Sequence, residues 1–156
     1  MTPAPATAVP APGPATRSRY RSFLTIPTRW MDNDAYGHVN NVTYYSYFDT
    51  AVNEHLIRVG GLDIARDPVV GLVVETSCRF HAPLSFPETI EAGIAVTRIG
   101  RSSVAYAIGL FRRCDDRPAA TGRFVHVWVE RATGRPTDIP PRIRAVLEPL
   151  IVAEEA

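Results

Sequence analysis

Two carboxylates, a histidine and three asparagines crowd the stretch Arg29–Asn41, which reads RWMDNDAYGHVNN. Asp32 and Asp34 flank Asn33, His38 follows, and Asn40 and Asn41 close the run. Acids and an imidazole this close suit three kinds of chemistry: a metal site, the cap of a helix, or the reacting end of an active site. A metal needs more ligands than Asp32, Asp34 and His38. The other histidines, His55, His81 and His126, are scattered, and no His-x-x-x-His or cysteine cluster completes a shell. No metal is therefore expected.

These residues must be held by the elements on either side. Tyr20–Thr28 is rich in β formers and predicts a first strand. After the polar stretch, Val42, Tyr45, Phe48 (or Asp49), Val52, Leu56 and Val59 step by three and four, a helical stripe. Tyr44 and Tyr47 lie off that stripe, which predicts a helix buried on more than one face. Asn40 or Asn41 suits its N-cap, and Gly60–Gly61 its end. Gly37 to Val42 would then lead into the helix, whose first N–H groups carry partial positive charge. Gly37 has no side chain, so a ligand could approach its backbone closely.

Beyond Gly71 the period changes to two. LVVETSCRF, TIEAGIAVTRIG, SVAYAIGLFRR and ATGRFVHVWVERA predict four strands, with turns at Gly100–Arg101, Asp115–Asp116 and Thr133–Gly134. PPRIRAVLEPL predicts a short closing helix. The order β-α-β-β-β-β-α implies an α+β fold, a curved antiparallel sheet around one long helix.

The 156 residues suit one domain, placed at 19–151, with a Pro/Ala-rich disordered tail over 1–18 and a short tail over 152–156. The prolines in MTPAPATAVPAPGPAT interrupt any secretory apolar run, and no apolar stretch reaches the ~18 residues of a membrane span, so a cytoplasmic protein is expected. A net charge of +1 gives no general attraction to nucleic acid or an anionic membrane. All 17 basic residues are arginine, which grips phosphate in bidentate fashion. Cys78 and Cys114 fall in predicted strands and are expected to be buried free thiols.

The run DNDAYGHVNNVTYYSYFDTA resembles the DxDxxGHVNNxxY signature of hotdog-fold acyl-CoA thioesterases, the 4-hydroxybenzoyl-CoA thioesterase family. RIGRSSVAY and RPTDIPPRIRAVL resemble its hairpin and its ending. The resemblance implies hydrolysis of an acyl-CoA thioester, the CoA ester being substrate and not cofactor. By motif position Asp34 matches the family's catalytic carboxylate, either as nucleophile or as base on a water. The alternative for Asp34 is an Asx turn that only shapes the loop. Asp32 reads as structural, bonding the loop backbone or pairing with Arg29. His38 could orient the loop, bond the carbonyl, polarise water or simply pack. Asn40 and Asn41 are caps first, and one of them could also hold water or the carbonyl, as related acyl-carrier-protein thioesterases use an Asn of this motif.

Another branch of the family carries its acid on the helix, which makes Asp49, or Glu54, the alternative catalytic acid. The arginine that commonly follows Asp49 is missing here. Arg101, with Ser102 and Ser103, resembles the hairpin tip the family uses near CoA; Arg131 and Arg135 are weaker phosphate ligands. Tyr36, Tyr44, Tyr47, Phe48 and Trp128 are available to line the acyl pocket. The family pairs protomers into a continuous sheet, so a homodimer or homotetramer is expected, with Asp34 and the CoA arginines from different chains. A hydratase is disfavoured, because Asp34 and His38 lack the longer, proline-containing spacing of that loop. The remaining rivals are a non-catalytic domain holding an acyl or aromatic ligand, and a thioesterase acting on an acyl carrier protein in place of CoA.

Overall fold

The computed structural model describes residues 15–154. Five strands form one antiparallel sheet in the order β1-β3-β4-β5-β2: β1 (Ser22–Pro27), β2 (Val69–Phe80), β3 (Thr89–Ile99), β4 (Ser103–Arg112) and β5 (Ala120–Glu130). Helix α1 (Asn41–Arg58) lies against one face, and the short α2 (Pro141–Leu147) closes the far end. This is the hotdog architecture, in the predicted element order.

The helix buries a different stripe from the one its spacing predicts. Tyr44, Tyr47, Phe48, Ala51, Val52, His55 and Leu56 face the sheet, while Val42 and Val59 are exposed. The buried set also follows a three-four step, displaced around the helix by the tyrosines. One face is covered, not several. Burying two large aromatic rings and leaving two valines in water is the better exchange, because an aromatic side chain removes more apolar area.

The central strands are covered on both sides. The α1 face holds Ile90, Ile94, Ile108, Leu110, Phe124 and Trp128. On the opposite face Tyr20 packs edge-on against Phe111 at 5.5 Å, and the Arg17 guanidinium stacks 4.7 Å from the Phe111 ring centre. Arg17 also pairs with Glu91 and donates to Asp115 O at 2.8 Å. Ordered chain thus begins before Arg19, inside the tail expected over 1–18; residues 1–14 of that tail lie outside the described residues. At the other end, Val152 N–H donates to Val96 O, so the C-terminal segment is docked past Ile151. The two thiols are free, but only Cys78 lies in a strand. Cys114 is exposed in the turn after β4 with φ 69°, which corrects its placement in a buried strand.

The two edges of the sheet differ. β1 is six residues long, whereas β2 is twelve, pairs only with β5, and leaves most of its length exposed. Leu72, Val73, Val74 and Phe80 are among the large apolar side chains left in water. No helix among the described residues is long and apolar enough to cross a membrane.

Candidate active site

The Arg29–Asn41 stretch folds as an anchor followed by a turn. A short 3-10 turn, Trp30–Asp32, buries Asp32 to 1% exposure. Its carboxylate accepts the Arg29 N–H at 2.9 Å, the Arg29 Nε–H at 3.0 Å and the Tyr47 hydroxyl at 2.7 Å. Burial works to raise the Asp32 pKa, but the bonds from Tyr47 and Arg29 outweigh it and hold the carboxyl below its ordinary range. Every lone-pair direction it has is directed at the scaffold, as the pairing with Arg29 anticipates.

Asp34 begins the turn. Its N–H donates to His38 O at 2.8 Å, and Gly37 N–H donates to Asp34 O at 3.1 Å. Gly37 supplies the φ of +83° that closes this turn, a conformation an L side chain resists. Gly37 leads toward the helix from four residues before its first residue, and its N–H is engaged within the turn. Asn33 and Val39 bridge the base of the turn. The turn is pinned to the segment before β3 by Phe86 N–H to Asn33 Oδ1 at 2.9 Å, Ser85 Oγ to Gly37 O at 2.9 Å and Val39 N–H to Leu84 O at 2.7 Å.

Helix α1 then starts at Asn41. Asn40 is its cap, and Oδ1 accepts Val42 N–H at 3.1 Å. Among the described residues the Asn41 N–H engages no acceptor, so the open donor at this helix end sits on Asn41. Asp34, His38, Val39, Asn41 and Tyr44 line an open cleft of about 390 Å³, closed on its other side by Phe80, His81, Ala82 and Pro83. One Asp34 oxygen, Oδ1, accepts Tyr36 N–H at 2.8 Å. The Asx turn is therefore present; among the described residues Oδ2 makes no hydrogen bond and is left for the cleft. Tyr44 stacks edge-on against Phe80 at 4.9 Å, and burial raises its hydroxyl pKa.

The remaining expected residues disperse. Tyr36 is 88% exposed, outside the cleft. Tyr47, Phe48 and Trp128 are core. Asp49 is exposed on α1 and outside the cleft, and Glu54 pairs with Arg58. Arg101 and Ser102 lie in the β3–β4 turn and Ser103 opens β4, at the opposite end of the sheet from Asp34. β3 spans eleven residues between the two ends, which at ~3.3 Å per residue is roughly 35 Å of strand. Within one chain, then, Arg101 and Asp34 do not share a site. Arg101 pairs with Asp138 at 2.8 Å, and Arg131 is bonded to Asp67 O and Ile64 O.

Five cleft residues were not anticipated, Val39, Phe80, His81, Ala82 and Pro83, and His81 alone of them carries a titratable side chain. His81 follows β2 directly and donates to, or accepts from, Thr121 Oγ1 at 2.9 Å. It shares the cleft with Asp34, and Leu84, three residues on, accepts the Val39 N–H of the turn. No local pattern in the sequence reports that pairing. Among the described residues no group of three or more acids, histidines or cysteines is placed to hold a metal ion.

The sequence model of the thioesterase-like superfamily matches residues 28–147. The crystal structure of the PA5185 protein from Pseudomonas aeruginosa strain PAO1 is 52% identical, covers 90% of this chain and 99% of its own, and superposes with a TM-score of 0.88. PA2801 of Pseudomonas aeruginosa, a candidate thioesterase, is 31% identical over 79% of this chain and 95% of its own, with a TM-score of 0.74. Slr0204 of Synechocystis, a 1,4-dihydroxy-2-naphthoyl-CoA thioesterase, shares the fold at 14% identity and a TM-score of 0.72, over 80% of this chain and 93% of its own. With most of its length matched and its loop, helix and sheet in the corresponding arrangement, the chain belongs to the thioesterase-like superfamily.

Proposed function

We propose that this chain hydrolyses an acyl-CoA thioester, with Asp34 as the reacting carboxylate. The observation that carries the reading is the cleft itself: one oxygen of Asp34 is tied to the turn, the other is unengaged, and the open Asn41 N–H of a long helix shares the lining. A thioester carbonyl seated there meets a carboxylate and a partial positive charge. As nucleophile, Asp34 adds to the carbonyl carbon, the C–S bond breaks, and CoA thiolate leaves and takes up a proton. Water then cleaves the mixed anhydride. As base, Asp34 takes a proton from water, the hydroxide adds to the carbonyl, and the collapsing intermediate expels CoA as the thiol. Both routes give a carboxylic acid and free CoA. His38 stands on the same wall and could orient the water or the carbonyl.

The active unit in this reading is a dimer joined through β2. A twelve-residue edge strand with exposed Leu72, Val73 and Val74 is a template for another strand. Antiparallel pairing of two β2 strands sets the Val69 end of one copy against the Phe80 end of the other. The Arg101 turn of one copy then lies on the side of the other's Asp34 cleft, where its guanidinium would meet CoA phosphate. The test is a panel of short, long and aromatic acyl-CoAs with detection of the free thiol. Release from at least one member is expected. No release from any member would leave a ligand-binding domain in its place.

A further inference from the structure

The far wall of the Asp34 cleft belongs to the connection 81–88 between β2 and β3. Pro83 and Pro87 interrupt it, and each removes a backbone donor, so its carbonyls must find donors elsewhere. Leu84 O accepts the Val39 N–H at 2.7 Å, and Glu88 O accepts the Thr28 N–H at 3.2 Å. Pro83 O accepts the Arg112 guanidinium.

Arg112 closes β4. It stands two residues beyond Leu110, a core residue of the α1 face, so its side chain leaves the sheet on the side of the cleft. Its Nε–H donates to Glu88 Oε1 at 2.7 Å while Nη2 holds Pro83 O, so one guanidinium grips both ends of the span 83–88. Glu88 passes the contact on. Its Oε2 accepts the Ser85 N–H at 2.7 Å, and Ser85 Oγ donates to Gly37 O at 2.9 Å. The bonds thus run from Arg112 through Glu88 and Ser85 to the turn that carries Asp34. Both charges also bear on the Tyr44 hydroxyl, and Tyr44 lines the cleft from α1. The Arg112 and Glu88 side chains are 39% and 33% exposed, and an ion pair so accessible adds little to global stability. Its contribution is geometric.

We propose that Arg112 is a positioning residue: by clamping Pro83 and Glu88 it sets the far wall of the cleft against the Asp34 turn, and so fixes how a thioester carbonyl meets Asp34 and the Asn41 N–H. Arginine suits the task because its planar fork carries donors in fixed, separate directions, which a lysine ammonium does not. The kinetic consequence rests on the proposed hydrolysis at Asp34. The clamp does not.

Arg112→Gln removes the charge and the fork. Amide hydrogen exchange of the full chain reads the clamp without reference to activity. The Val39 and Phe86 N–H groups, which tie turn to wall, should exchange about tenfold faster or more, with the amides in the middle of α1 unchanged. Steady-state kinetics on an acyl-CoA that the wild type cleaves reads the consequence. A fall of about tenfold in kcat with KM within about threefold is expected, because the variant disturbs alignment and removes no group that touches the substrate. Ser85→Ala, which deletes only the bond to Gly37 O, should add little to that fall in the double variant, since both act through one chain of bonds. If Arg112→Gln does not fold, Glu88→Gln, which removes the charge Arg112 pairs with and keeps an oxygen for the Ser85 N–H, gives the same readouts. Unaltered exchange at Val39 and Phe86 overturns the clamp. Faster exchange with unchanged kcat, or single effects that multiply in the double variant, overturns the positioning role. Faster exchange in a chain whose wild type cleaves no thioester upholds the clamp and defeats the hydrolysis.

Discussion

The two halves of the Arg29–Asn41 stretch treat the same functional group in opposite ways. In the first half Asp32 is buried and accepts bonds from Arg29 and Tyr47, so its charge is consumed in holding the loop against the helix. In the second half Asp34 sits at the mouth of a turn with one oxygen tied and the other open to the cleft. The lesson is that placement within a loop, and not residue type, divides a scaffold acid from a reactive one. A carboxylate surrounded by donors has no lone pair to offer a substrate.

That division can be broken by exchanging which acid is removed. Asp32→Ala should cost about 3 kcal/mol of stability, because it leaves the buried Tyr47 hydroxyl and the Arg29 backbone N–H without their acceptor. Denaturant unfolding reads it, and a loss under about 1 kcal/mol would mean that the anchor half is not an anchor. The acid limb of stability sharpens the same point. Asp32 is held below the ordinary carboxylate value, so its contribution is complete above that value and is lost as pH falls through the lower folded pKa. Asp32→Asn should therefore flatten the decline of stability below about pH 4.

Smaller effects lie in the turn and cap. Gly37→Ala meets no atom within 4 Å, so its cost is the backbone alone, about 1–2 kcal/mol for an L residue at φ +83°. Asn40→Ala removes the cap bond to Val42 and should cost about 1 kcal/mol, read in the same unfolding series.

Much of this was legible in the chain. The element order followed from periodicity and turn residues, and Asn40 as cap and Asp32 as partner of Arg29 are local relations within a few residues. What escaped was long-range. His81 shares the cleft with Asp34 beside the pairing of Val39 with Leu84, which nothing near His81 announces. The buried stripe of α1 was displaced because a spacing rule counts apolar positions and does not weigh ring area against a valine. Arg101 was placed near CoA by motif, on a different chain from Asp34, and the length of β3 separates the two within one chain. Gly37 was read as leading toward the helix; the φ that makes it a turn residue is not written in its neighbours.

The most direct test of the account is turnover by Asp34→Asn. Asparagine keeps the oxygen that accepts Tyr36 N–H, so the turn persists, and it removes the charge that would attack the thioester or take a proton from water. The account predicts a fall in kcat of about 10²–10⁴-fold on whichever acyl-CoA the wild type cleaves, with an unchanged melting temperature. Turnover within about twofold of wild type would contradict it, and would show Asp34 to be a turn residue like any other.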